Sequence, residues 1–167
     1  DLFIDGSERP LQRPKDKEKQ KKNYSGKKKA HTRKNVLITD KNKKIGFLSP
    51  PEEGKRHDYS IFKDIFPPGL FPENITLWFD FAFIGMDKDY PEASVMMPNK
   101  KPRGKELTAE EKVRNKAISG VRVRVEHAIA GIKRLRITTD KFRNKTDSFN
   151  DKAMLISCGL WNYHLKC

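Results

Sequence analysis

Short runs of β-branched and aromatic residues, each closed by Asp, Gly, Ser or Pro, most strongly limit what this chain can fold into. Runs of this length are typical of strands rather than helices. They predict five strands, at residues 2–5, 31–39, 45–48, 75–80 and 94–97. The second and third runs are joined by Asp40-Lys41-Asn42-Lys43, whose Asp and Asn suit a tight turn. These two strands are therefore expected to form a hairpin.

Helical spacing of apolar residues occurs between and after these runs. Residues 56–66 carry aromatic side chains at helical spacing, with Asp58 in position to cap the helix start. A capping box at 108–111 begins a long helix that continues to about Leu135, and we expect Gly120 to bend it or divide it in two. One polar face of this helix carries Arg122, Glu126 and Lys133.

The last helix is predicted to extend from about Asp147 to His164. Its inner face is expected to consist of Phe149, Ala153, Ile156, Leu160 and Trp161. The order strand, hairpin, helix, strand, strand, helices gives a mixed sheet in an α/β domain. We therefore predict an α/β fold with a ribonuclease H-like mixed five-stranded sheet flanked by helices, in a single domain over residues 1–167.

The excess of basic over acidic residues restricts the kind of partner that the protein binds. The chain has 36 Lys and Arg against 22 Asp and Glu, which gives a formal charge of +14. Solubility alone needs far less, so the charge indicates a polyanion, with nucleic acid ahead of an anionic membrane surface. No apolar stretch is long enough to span a bilayer, and no secretory signal opens the sequence. A cytoplasmic protein without a membrane partner is expected.

Two basic loops, at about 12–30 and 99–107, concentrate this charge. The lysine-rich run 15–34 has too little apolar content to pack, so we expect a mobile, extended connection. Lysine is a flexible point charge without the planar fork that favours base reading, so both loops are predicted to bind phosphates. A solvated loop without a ligand is the plainer alternative, and the run lacks the apolar face that a membrane binder needs.

Three carboxylates stand where a metal site would need them. Asp5 and Asp80 each end a predicted central strand, where α/β folds gather their ligand sites, and Glu126 lies on the long helix. Taken singly, the aspartates are more simply turn or capping residues, and Glu126 is more simply an ion-pair partner of Arg122. His57-Asp58 is a further accessory candidate, although a helix cap beside a surface histidine is the more ordinary interpretation.

Taken together, the three acids indicate phosphodiester chemistry on DNA. Such chemistry uses two hard cations about 4 Å apart, and these ions prefer carboxylate oxygens as ligands. Acids from two strands and one helix can form such a cradle. The sequence has no P-loop, nucleophile elbow, zinc-protease helix or dinucleotide-binding glycine motif, so the competing catalytic classes lack their signatures.

Several short motifs follow one another along nearly the whole chain. They are DGSERP at 5–10, YSGKKK at 24–29 with His31-Thr32, Gly54 with His57-Asp58, DFAFIG at 80–85, KKPRGKELT at 100–108, RVRVEHAI at 122–129 and GIKR at 131–134. In this order they resemble the DDE transposases of bacterial insertion sequences, within the Harbinger-like "insertion sequence five" group. One departure is Ala82, where that family usually has Gly.

The resemblance implies a transposase catalytic domain, a DDE endonuclease that performs metal-dependent DNA strand cleavage and transfer. It makes Asp5, Asp80 and Glu126 the catalytic, metal-binding triad for two Mg²⁺ ions, with Mn²⁺ as a substitute. The implied partners are transposon ends and target DNA, bound by a homo-oligomer in the bacterial cytoplasm at the nucleoid. The upstream DNA-binding region of such transposases is absent from the sequence, so a longer parent protein is expected. DNA contacts are predicted from Lys27, Lys28, Lys29, Lys100, Lys101, Arg103, Arg122 and Lys133.

A non-catalytic nucleic-acid-binding protein derived from such a domain is the alternative, because the charge alone would suffice for it. The two hypotheses predict different geometry. A metal-binding triad requires the three carboxylates to converge in one open cleft rimmed by lysines, and their repulsion should raise the pKa of at least one of them without metal. Purely structural acids would be scattered, or neutralised by neighbouring Arg or Lys.

Overall fold

The computed structural model describes residues 1–146 and 148–167, so the predicted helix start at Asp147 lies outside the described residues. In chain order the strands are β1 (Leu2–Pro10), β2 (Tyr24–Ser25), β3 (Ala30–Thr39), β4 (Ile45–Leu48), β5 (Glu52–Glu53), β6 (Thr76–Trp78) and β7 (Ser94–Met96). The five predicted strands correspond to β1, β3, β4, β6 and β7. The two-residue strands β2 and β5 are additions that pair with β3.

The helices are α1 (Lys17–Asn23), α2 (Asp58–Ile65), α3 (Met86–Asp89), α4 (Ala109–Lys133) and α5 (Phe149–His164). The predicted capping box starts α4: the Glu111 amide donates to Thr108 Oγ1 at 3.2 Å, and the Thr108 amide donates to Glu111 Oε2 at 2.8 Å. The helix then continues past Gly120 as one element of 25 residues, so the predicted division does not occur. No helix within the described ranges combines the length and apolar character needed to cross a membrane.

The five principal strands lie in the order β4-β3-β1-β6-β7. β3 is antiparallel to both β1 and β4, whereas β6 is parallel to β1 and β7 is parallel to β6. The long β1-β3 ladder extends from Phe3 opposite Thr39 to Pro10 opposite Thr32. This mixed sheet with its flanking helices confirms the predicted ribonuclease H-like α/β fold.

Two hydrophobic cores cover the two faces of the sheet. Successive residues of a strand point to opposite faces, so Phe3 packs in the core beneath α4 and α5 while Ile4 packs in the core beneath α2. Phe62 of α2 is fully buried on the second face, and Val125 of α4 is fully buried on the first. By the same alternation, Asp5 faces α4 and Gly6 faces α2.

The segment 15–34 is not the extended connection that its charge predicted. It contains α1, whose N-cap Asp16 accepts a hydrogen bond from the Lys19 amide at 2.8 Å, and then β2, which pairs antiparallel with β3. No side chain of α1 is buried. The cap, the pairing of β2 and the hydrogen bond from the Lys55 amide to the Lys22 carbonyl at 3.1 Å hold this lysine-rich segment, which has no core of its own.

The inner face of α5 also differs from the prediction. Phe149, Ile156 and Leu160 are 40%, 60% and 50% exposed, and the buried residues are Ala153, Met154, Ser157 and Cys158. The helix is fixed by contacts distant in sequence. Trp161 packs onto Gly131, where a Cβ would overlap its ring, and Asn162 bonds the backbone of Ile45 through both its amide atoms at 2.8 and 2.9 Å.

Candidate active site

Asp5 and Asp80 occupy equivalent positions on two paired parallel strands. The β1-β6 ladder pairs Phe3 with Trp78, and each chain reaches its aspartate two residues later. β6 ends at Trp78, whereas β1 continues to Pro10, so Asp5 lies inside its strand and not at the strand end that was predicted. Asp5 therefore lies just beyond the part of β1 that pairs with β6, and Asp80 lies beside Asp5.

Each of these carboxylates is oriented by a backbone amide of its own segment. The Gly6 amide donates to Asp5 Oδ1 at 2.7 Å, and the Ala82 amide donates to Asp80 Oδ1 at 2.7 Å. Asp80 thereby caps the short 3-10 turn Phe81–Phe83. Because only the amide of residue 82 is used, Ala serves there as well as the Gly that the related family usually has.

The pKa of Asp5 is raised from 3.8 to about 6, mainly by burial and secondly by the neighbouring charge of Asp80. Arg122 opposes this shift, and Asp58 adds a smaller increase. The shift agrees with the expectation that closely placed acids repel one another in the absence of metal. Asp5 and Asp80 are therefore electrostatically coupled.

Arg122 is the cation nearest to Asp5. Its side chain reaches inward from α4 and is almost fully buried, and Nη2 lies 3.7 Å from Asp5 Oδ2. Glu126, one turn further along α4, is exposed. Within residues 1–146 and 148–167, no three His, Cys, Asp or Glu side chains lie close enough together to hold one metal ion. The structure thus brings Asp5 and Asp80 together but does not gather Glu126 with them.

Asp58 does not cap α2 as predicted. His57 takes the N-cap position without a side-chain cap, and Asp58 is the first residue of the helix. The Asp58 carboxylate turns to the sheet, where Oδ1 lies 3.3 Å from Lys34 Nζ. A Cβ on Gly6 would lie 2.7 Å from Asp58 Oδ2, so the glycine after Asp5 lets α2 approach β1 this closely.

A small cleft of about 110 Å³ opens at residues 6–8 of β1, which directly follow Asp5. Its walls include Gly6, Asp58 and four lysines, namely Lys27, Lys28, Lys34 and Lys133. Desolvation and the neighbouring charge of Lys28 lower the pKa of Lys133. Three of these lysines were predicted from the sequence, and Lys34 was missed. Lys34 lies opposite Glu8 in the β1-β3 register, so aligning the β3-β4 hairpin with β1 would have placed this lysine near Asp5.

The other predicted DNA-binding residues lie outside the cleft walls. Lys29 is exposed in the turn between β2 and β3, with a positive φ of 51°. The loop 99–107 is irregular, as predicted, and is anchored to α4 because the Asn99 amide donates to Asn115 Oδ1 at 2.7 Å. Lys100, Lys101 and Arg103 are exposed on this loop, and Lys101 pairs with Glu106.

The donor chemistry at Asp5 and Asp80 fits a divalent cation. Both offer carboxylate oxygens, the ligands that Mg²⁺ prefers, and a cation between them would relieve the repulsion that raises the pKa of Asp5. Lysines beside the pair attract phosphates to the same place. An acidic pair with a lysine-lined cleft can therefore bring a cation and a phosphodiester together.

An acidic pair with Asp5 on the central strand β1 and Asp80 just after the end of β6, near a basic cleft of a ribonuclease H-like sheet, is the arrangement of a nuclease-type domain. Comparison of families agrees: the model of the DDE superfamily endonuclease family matches residues 4–162, and the chain belongs to that family. The chain is also 32% identical, over 165 residues, to the "probable transposase for insertion sequence element IS702" of Microchaete diplosiphon. The match covers 98% of this chain and 57% of that relative. No solved structure matches the chain.

Proposed function

We propose that this chain is the catalytic domain of a transposase that cleaves DNA strands at transposon ends and joins them to target DNA. The observation that carries the proposal is the position of Asp5 beside Asp80 on paired parallel strands, where burial first and the charge of Asp80 second raise the pKa of Asp5 to about 6. Membership of the DDE superfamily endonucleases and the likeness to a probable transposase support the same reaction. We further assign the active form to a homo-oligomer bound to DNA.

The proposal assigns a divalent-cation site to Asp5, Asp80 and Glu126, with two Mg²⁺ ions, or Mn²⁺, as the cofactor. When bound, such ions activate the attacking oxygen and stabilise the leaving oxygen of the phosphodiester. The amides of Gly6 and Ala82 hold the two aspartates in fixed orientations before any ligand arrives. Glu126 is exposed on α4, one turn from Arg122, where it is accessible from solvent.

The lysines position the DNA strand in this proposal. Lys27, Lys28 and Lys133 bind phosphates beside the acids, and Lys34 holds the Asp58 carboxylate against β1. Arg122 is almost fully buried against Asp5, so in this proposal it contacts a phosphate only after its guanidinium has left Asp5. Lys29 and the exposed group Lys100, Lys101 and Arg103 extend the phosphate contacts away from the cleft.

Strand cleavage and joining of terminal-repeat DNA by the full-length protein in Mg²⁺ tests the proposal. Asp80→Asn should reduce cleavage by more than the roughly 10–100-fold typical of residues one step removed from a metal. Asp87→Asn is the matched control, because Asp87 is exposed on α3 and makes the same change of charge. Equal cleavage by the Asp80 and Asp87 variants would refute the assigned role of Asp80.

A non-catalytic DNA-binding function is the second candidate, and the ion pair between Arg122 and Asp5 favours it. That pair already gives Asp5 a cation, and Glu126 is not gathered beside it. This candidate predicts that the wild type binds DNA, cleaves none in Mg²⁺ or Mn²⁺, and shows the same melting temperature with and without these ions. The transposase proposal predicts cleavage and a rise in melting temperature, because the ion binds only the native state.

A further inference from the structure

A larger cavity opens at the other end of β1. Its volume is about 580 Å³, and it lies between residues 11–19 on one side and residues 142–146 and 148–151 on the other. Leu11 is six residues beyond Asp5, which places the cavity about 20 Å from the acidic pair along the strand. None of the eight residues named as DNA contacts from the sequence lines this cavity, although Arg13, Lys15 and Lys19 of its wall belong to the basic loop 12–30.

The cavity is strongly cationic. Its lining includes Arg13, Lys15, Lys19, Arg33, Arg143 and Lys145. Among the described residues, the carboxylates on its wall are those of Asp16 and Asp151, and each already has a partner. Asp16 caps α1 by accepting from the Lys19 amide, and Asp151 faces Arg9 at 4.0 Å. The described lining therefore holds six cations against two carboxylates, an excess of positive charge that favours an anionic ligand.

The cavity is also firmly built. Arg9, buried beneath it, donates to the Asn150 carbonyl at 2.7 Å and so ties the start of α5 to β1. Phe142 and the end of β1 exchange backbone hydrogen bonds, since the Gln12 amide donates to the Phe142 carbonyl at 2.8 Å and the Phe142 amide donates to the Pro10 carbonyl at 3.1 Å. The two walls are therefore joined directly by backbone hydrogen bonds.

An aromatic ring stands among these cations. Phe142 lines the cavity, is partly exposed, and stacks on Phe149 with ring centroids 6.0 Å apart. Cationic walls around an aromatic ring are the combination that binds single-stranded nucleic acid, because the cations hold the backbone while the ring stacks on a base. A duplex keeps its bases stacked inside and offers only phosphates to such a cavity.

We propose that this cavity binds an unpaired nucleotide of single-stranded DNA, with its phosphate on the arginines and lysines and its base against Phe142. The inference rests on the proposed function for the identity of the polymer. A volume of about 580 Å³ falls within the range of small-ligand sites. The distance of about 20 Å from the acids corresponds to about six base-pair steps of duplex, or to fewer nucleotides of an extended single strand, so a short stretch of strand beyond the acids can reach the cavity.

Fluorescence anisotropy of the full-length protein in EDTA tests this proposal, with a labelled oligothymidine and a duplex of the same length as probes. Phe142→Ala should weaken single-strand binding about tenfold, the effect of losing one stacked base, and leave duplex binding unchanged. Phe142→Leu retains an apolar side chain for packing and should show the same loss. An oligothymidine with abasic positions should bind the wild type and both variants equally.

The cationic part of the site has a charge-matched control. Replacement of Arg143 and Lys145 by Ala should weaken single-strand binding more than replacement of Lys41 and Lys44, which are exposed in the β3-β4 turn. Equal losses in the two double variants, or an equal loss on duplex and single strand for the Phe142 variants, would overturn the proposal. Because binding is measured without metal, either result is independent of whether the Asp80 variant cleaves DNA.

Discussion

At the scale of single residues, the raised pKa of Asp5 has a direct consequence for stability. The folded state holds the Asp5 proton up to a pH of about 6, whereas the unfolded chain releases it near 3.8. Ionised Asp5 therefore destabilises the native state, and the cost grows as the pH rises from 3.8 to 6. The difference of about two units between the folded-state and unfolded-state pKa corresponds to a loss of up to about 3 kcal/mol in the free energy of unfolding at pH values above 6.

Asp5→Asn should accordingly stabilise the metal-free protein at pH 7, because it removes a buried charge that Arg122 compensates only in part. The gain should disappear as the pH falls below 3.8, where Asp5 of the wild type is protonated in both the folded and the unfolded state. Thermal unfolding in EDTA across this pH range measures the effect, with Asp87→Asn as the exposed control. A variant less stable than the wild type at pH 7 would mean that the Arg122 pair outweighs burial.

A second prediction for single residues concerns three glycines, Gly6, Gly46 and Gly54. A Cβ on Gly54 would lie 2.6 Å from the Asn23 carbonyl and 2.8 Å from the Thr32 carbonyl, both of them backbone atoms. A Cβ on Gly6 meets only the Asp58 side chain, and a Cβ on Gly46 meets nothing within 4 Å. Substitution by Ala should therefore destabilise least at Gly46, by about 1 kcal/mol at Gly6 and by more at Gly54.

Urea unfolding of the three Ala variants measures this order. The Gly6 variant should also lose the contact between Asp58 and Lys34, because the Asp58 carboxylate has to move. The Gly54 result bears on the motif in which that glycine precedes His57-Asp58: a close backbone approach to β3 explains the glycine without any role in chemistry. Equal stability of the Gly54 and Gly46 variants would contradict this explanation.

At the scale of elements, the strands were predictable because their signal is local. Each predicted run became a strand, since apolar β-branched and aromatic residues bounded by turn residues specify strands within a few positions. The helix α1 was missed because its composition argues for a solvated loop, and its order comes from the Asp16 cap and its neighbours. The rotation of α5 was missed because the helix has apolar residues on two faces, and only its contacts with β4 and α4 select the buried one.

Met154 and Ile156 test which face of α5 is buried. Met154 is fully buried and Ile156 is 60% exposed, although the sequence pattern assigned Ile156 to the inner face. Met154→Ala should cost about 2–5 kcal/mol, while Ile156→Ala should change the free energy of unfolding by no more than about 0.5 kcal/mol. Thermal unfolding that showed the larger loss at Ile156 would restore the predicted orientation of α5.

At the scale of the whole molecule, the topology of the sheet accounts for two residues of the candidate site, Asp5 and Asp80. Asp5 and Asp80 follow adjacent parallel strands, so their proximity could be expected from strand order alone. Arg122 was misplaced on a polar face, although it precedes the buried Val125 by three residues and Ile129 by seven, which is the spacing of one helix face. How α4 sits on the sheet, and hence the position of Glu126, depends on packing that the pattern of polar residues does not encode.

The final prediction concerns how the molecule, with its formal charge of +14, binds duplex DNA. If Lys27, Lys28 and Lys133 each neutralise a phosphate beside the acids, the slope of log affinity against log salt concentration should become shallower by about 0.9 for each lysine replaced by Ala. The loss should be the same for every duplex sequence, since phosphates carry no sequence information. Replacement of Lys41 and Lys44, which lie in the distant β3-β4 turn, should leave the slope unchanged. A sequence-selective loss would instead assign these lysines to base reading, and an unchanged slope would remove the cleft from the path of the DNA.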